Sequence, residues 1–85
     1  MDKRFEYQVC YGLIDRITFS NGQWLGADIP ESKRKPEDVL KCPLMWEYLE
    51  RAGGDGWELV GVLETPAMKG NMRTYFLKRE VAENR

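Results

Sequence analysis

The chain is 85 residues long, with thirteen basic and fourteen acidic side chains, two cysteines and no histidine. That length allows one domain, spanning 1–85, and a net charge of −1 lacks the basic excess of proteins that hold nucleic acid by its phosphates. The missing histidine removes Ser-His-Asp and Cys-His nucleophiles and most zinc sites.

Phe5, Tyr7, Val9, Tyr11 and Leu13 alternate with Glu6, Gln8, Cys10 and Gly12. Period-two alternation predicts a strand with one buried face, the odd residues forming the apolar set. Asp15-Arg16 interrupts it. Ile17-Thr18-Phe19 and Gln23-Trp24-Leu25 flank Ser20-Asn21-Gly22, and Asn-Gly between apolar segments predicts a hairpin. Residues 26–43 are polar and carry Pro30, Pro36 and Pro43, which predicts a long surface loop with one helical turn near Pro36–Leu40.

A main helix is expected from about Pro43 to Ala52, with Leu44, Met45, Tyr48, Leu49 and Ala52 on its apolar stripe and Gly53-Gly54 ending it. Trp46 falls roughly 130° from the centre of that stripe, either folded over a sheet edge or free for a partner. Trp57 to Leu63 is apolar on both faces and predicts a central strand, with Trp57, Leu59 and Leu63 on one side and Val60 and Val62 on the other. Trp57 and Leu59 are the expected core anchors. Thr65 to Met72 is a loop, Thr74 to Arg79 the last strand, and 80–85 a polar tail. The expected fold is α+β: an antiparallel sheet of four to five strands with one main helix on one face.

The block Gly54-Asp55-Gly56-Trp57-Glu58-Leu59-Val60 after a helix, the closing Tyr75-Phe76-Leu77-Lys78-Arg79 and the opening Phe5-Glu6-Tyr7-Gln8-Val9 together resemble the domain-of-unknown-function 4177 family. Its members are small bacterial and phage proteins. The likeness covers residues 5–11 and 45–79, and the middle, Gly12 to Leu44, is longer here than in the short members. The resemblance implies a helix laid over an antiparallel sheet and carries no activity.

Few residues offer chemistry. Glu47 with Glu50 fits a solvated helix face. Glu58 and Glu64 flank the expected central strand on its less buried side, and an enzyme using Glu58 with a Tyr or Lys is a third reading. The glycines at 53–56 follow a helix and precede a strand, the reverse of a phosphate cradle. Two basic clusters are candidate ligand sites. Lys33, Arg34 and Lys35 stand in the loop among Glu31, Glu37 and Asp38, so a solvated loop fits them as well. Lys69, Gly70, Asn71 and Arg73 surround a hairpin tip that either forms an anion pocket from backbone N–H groups or is an ordinary exposed turn. One ten-residue helix cannot cover both faces of the sheet, so Trp46, Val60 and Val62 are the candidate interface.

Cys10 and Cys42 are expected as free thiols. The first six residues contain no apolar leader core and no stretch approaches a membrane span, so the expected compartment is the cytoplasm. The function class expected is a non-catalytic binding module without metal or cofactor, self-associating, and taking a protein partner or a small anionic ligand at a subunit boundary. By analogy of size and family, a phage inhibitor or sponge acting against host defence is one instance. The alternative is a nucleic-acid-binding accessory protein that uses the two basic loops.

Overall fold

A computed structural model describes residues 3–67 and 70–81. The elements run β1 (Phe5–Leu13), β2 (Arg16–Ser20), β3 (Gln23–Trp24), two short 3₁₀ turns (Glu31–Lys33 and Pro36–Lys41), α1 (Met45–Gly54), β4 (Glu58–Ala67) and β5 (Gly70–Glu80). The strands form a single antiparallel sheet in the order β3-β2-β1-β5-β4. The α+β architecture is the expected one, a five-stranded sheet with one principal helix.

The turns follow from local chemistry. Asn21 and Gly22 take φ of 50° and 83°, as the β2–β3 hairpin requires. The Asn21 side chain also accepts a hydrogen bond from the Val9 N–H at 2.8 Å, tying the hairpin to β1. The β1–β2 turn is less comfortable, because Ile14 holds a φ of 57° although it is β-branched and 67% exposed. Ile14→Gly is therefore expected to stabilise the fold by about 1 kcal/mol and raise the thermal midpoint by about 4–8 °C, measured by calorimetry.

The helix continues beyond Ala52, through Gly53 and Gly54. Its stop is Gly56, with φ 94°, whose N–H reaches the Gly53 carbonyl at 3.0 Å while the Trp57 N–H reaches the Ala52 carbonyl at 3.0 Å. This pair of bonds is a Schellman closure, which needs a left-handed residue and brings the next apolar side chain onto the last turn. Trp57 is thereby set against the core beside Ala52.

The faces of β1 are the reverse of the expectation. Gln8, Cys10 and Gly12 are buried beneath the helix, whereas Phe5, Tyr7 and Tyr11 are exposed on the opposite, open face. The helix face is built from short groups so that rings can enter. A Cβ on Gly12 would stand 2.8 Å from the Tyr75 ring, and Cys10 meets the Tyr48 hydroxyl at 3.7 Å. The core comprises Cys10, Ile17, Ala52, Tyr75 and Leu77, with Leu25, Met45, Tyr48, Leu49 and Trp57 packed on it. The helical stripe thus faces inward as expected.

β4 is an edge strand, and the central positions belong to β2, β1 and β5. Its register slips between Leu59 and Gly61, so Leu59 lies opposite Leu77 and Val62 opposite Tyr75, both on the helix side, while Leu63 pairs with Thr74 on the open side. The expected grouping of Leu59 with Leu63 and of Val60 with Val62 fails for this reason: a bulge inserts one residue and reverses the alternation. Leu59 is 43% exposed and is not a core anchor; Trp57 packs against the core, and β5 supplies Tyr75 and Leu77.

The 26–43 segment is only partly surface loop. Asp38 and Cys42 are buried, and the Cys42 carbonyl accepts from Arg16 Nη1 at 2.9 Å. The Ile17 N–H bonds to the Pro43 carbonyl at 3.0 Å, holding the segment's end against β2. The Asp38 carboxylate caps the second 3₁₀ turn through the Lys35 N–H at 2.8 Å, a bond that lowers its pKa. Cys10 and Cys42 are both free, and burial pushes both thiols up. Among the described residues no helix is long and apolar enough to cross a membrane.

Candidate functional site

The two basic clusters sit on different elements, and Arg34, Asn71 and Arg73 are already engaged. Arg34 donates from Nε to the Ile29 carbonyl at 3.0 Å and lays its guanidinium over Trp24, 4.6 Å from the ring centre. That ring in turn meets Phe19 edge-on at 5.5 Å. Arg34 thus clamps the loop to β3, and Lys33 and Lys35 remain exposed beside it. At the β4–β5 hairpin the Glu64 carboxylate receives the Asn71 side-chain amide and pairs with Arg73 Nε at 3.8 Å. An acid therefore occupies the neighbourhood of these two donors. Arg73 is held cationic by Tyr75 first and Glu64 second. Gly70 opens β5, and Lys69 lies outside the described residues.

The proposed interface residues are exposed but separate. Trp46 is 54% exposed on α1. Val60 and Val62 are half exposed on the β4 edge. A larger apolar surface escaped the sequence reading. Phe5, Tyr7, Tyr11, Leu63, Met72 and Phe76 all lie on the open face and are between 37% and 61% exposed. Toward β2 and β3 this surface dips into a groove of about 340 Å³ lined by Tyr11, Phe19, Trp24, Val39 and Met72 among others. The signal was present in the alternation of β1; the side assigned to it was wrong.

Beneath the helix lies a polar constellation that sequence reasoning also missed. Gln8 Oε1 accepts from Ser20 Oγ at 2.9 Å, from Cys10 Sγ at 3.2 Å and from the Tyr48 hydroxyl. Beside it a cleft of about 240 Å³ is lined by Gln8, Tyr48, Arg51, Ala52, Asp55 and Trp57. Arg79 closes the neighbouring surface: its guanidinium stacks 4.5 Å from the Trp57 ring centre, its Nε donates to Glu6 at 2.6 Å and its Nη1 donates to the Asp55 carbonyl at 2.9 Å. The residues come from β1, α1 and the helix stop, so no spacing in the sequence announces them. Among the described residues no three His, Cys, Asp or Glu side chains gather as a metal site.

No family model, no curated protein and no solved structure matches the chain.

Proposed function

We propose that the protein is a non-catalytic interaction module that self-associates through the open face of its sheet. The observation that carries this reading is the row of half-exposed aromatic and aliphatic side chains across β1, β5 and β4. Contiguous apolar surface of this kind marks interaction sites on soluble proteins. A second copy is the occupant this surface favours, because a two-fold axis uses one apolar patch twice and a net charge of −1 does little to keep copies apart. Lys78 brings one positive charge to the face, its ammonium 4.5 Å from the centre of the Phe5 ring. A nucleic-acid platform pairs such rings with a cationic track, whereas among the described residues of β1, β5 and β4 this face carries the single cation Lys78. The reading also fits the resemblance to the small bacterial and phage family, which carries no activity of its own.

Light scattering with circular dichroism on the wild type, Tyr7→Lys, Leu63→Lys and Trp46→Glu tests it. The wild type is expected to exceed the 9.9 kDa monomer mass at tens of micromolar. The two open-face variants are expected to become monomeric with unchanged spectra, because neither side chain belongs to the core. Trp46→Glu should keep the wild-type mass. A monomeric wild type would overturn the proposal, and a mass lost only in Trp46→Glu would move the contact to the helix.

A further inference from the structure

We infer that the cleft between α1 and the sheet is a binding site for a free α-amino acid with an apolar side chain. The site lies on the helix face and is independent of the open-face contact.

The base of the cleft is Gln8, only 8% exposed. Its carbonyl oxygen is surrounded by Ser20, Cys10 and Tyr48, which turns the amide NH₂ the other way. Among the described residues that NH₂ has no hydrogen-bond partner, yet it is not sealed from solvent, since Arg16 Nε is the buried polar atom left without one. Gln8 is one of the residues that line the cleft. An amide held by bonds at its oxygen end, with a free NH₂ on a residue that lines a concavity, can serve an acceptor there.

The walls identify the rest of the ligand. Arg51 and Asp55 both line the cleft, and neither has an ion-pair partner among the described residues. Opposite charges one helical turn apart that do not pair with each other are complementary to a molecule carrying both signs. Arg51 with the Gln8 amide suits a carboxylate. Asp55 caps the helix at Gly54, where the partial negative end of the helix adds to its carboxylate, and this suits an ammonium. Ala52 and Trp57 present carbon to whatever the two charged groups carry between them. At about 240 Å³ the cleft is smaller than the roughly 300 Å³ at which drug-sized sites begin. A compact zwitterion with one apolar substituent meets all of these demands.

The test is a titration of ¹⁵N-labelled full-length protein with L-leucine and L-phenylalanine, following the Trp57 indole N–H and the Gln8 side-chain NH₂. 2-Phenylethylamine, which lacks the carboxylate, and 3-phenylpropionate, which lacks the ammonium, are the controls. At least one amino acid should shift both signals saturably below roughly 10 mM, and each control should bind at least about tenfold more weakly. Arg51→Met should weaken the amino acid about tenfold while leaving 2-phenylethylamine unchanged, and Asp55→Asn should do the same with 3-phenylpropionate as the indifferent ligand. Both positions are exposed, so circular dichroism is expected to stay at wild type. The proposal is overturned if neither amino acid shifts these signals, or if the controls bind within about twofold of it. Full affinity in both variants overturns it equally.

Discussion

Leu77→Ala is expected to lose about 2–5 kcal/mol of stability, against a total of about 4–13 kcal/mol for a domain of this size. Leu77 is 1% exposed, sits between Gln8 of β1 and Leu59 of β4, and belongs to the central apolar cluster. Truncation there removes three carbon atoms' worth of packing at a site walled by β-strands, which relax little. Leu59→Ala is the natural comparison, because it lies on the same face and directly opposite. At 43% exposure it should cost below about 1 kcal/mol. Urea unfolding of the two variants reads the difference directly. Equal losses would mean that β4 is covered in solution by something other than this chain's own helix.

The second large effect is expected at Gln8. Gln8→Leu keeps the volume but removes the acceptor shared by Ser20, Cys10 and Tyr48. Each hydroxyl left without a partner in a partly buried site costs about 1–3 kcal/mol, and the thiol, a weak donor, adds little. The expected loss is therefore about 2–6 kcal/mol. The double variant Gln8→Leu with Tyr48→Phe should recover part of it, because the orphaned donor is gone. A purely additive double variant would show that the Tyr48 hydroxyl finds water once Gln8 is replaced.

Much of the architecture is legible in the sequence. The limits of β1, the Asn21-Gly22 hairpin and the inward stripe of α1 all come from local rules. The side of β1 that faces the helix does not. Alternation says that a strand has two unlike faces, and the weight of Phe5, Tyr7 and Tyr11 drew the odd face inward. The helix instead covers the even face, where short residues such as Cys10 and Gly12 admit the rings of Tyr48 and Tyr75. The apolar run of β4 misled in a similar way. Burial on both sides and a bulge at an exposed edge both produce consecutive apolar residues, and only pairing distinguishes them. Of the candidate sites, the basic residues were visible because charge is a property of composition. The Gln8 cleft was not, because Gln8 stands forty or more positions from the other lining residues, Tyr48 to Trp57, and meets them only after folding.

The pairing of β1 with β5 has a kinetic consequence. Phe5 lies opposite Glu80 and Leu13 opposite Met72, so the central ladder joins the first strand to the last. Loop-closure entropy must be met before that ladder returns any stabilisation, which places this topology among the slower folders of its size. During synthesis β1 and β2 can pair early, but the other edge of β1 waits for β5. With about 60 residues between the two strands, made at roughly 5–20 per second, that edge stays bare for roughly 3–12 s on each nascent chain. An unpaired strand carrying Tyr7, Val9 and Tyr11 is a template for pairing with a neighbouring chain. The yield of folded protein should therefore depend on how crowded the ribosomes making it are, and a slower β5 would raise the share lost to aggregation.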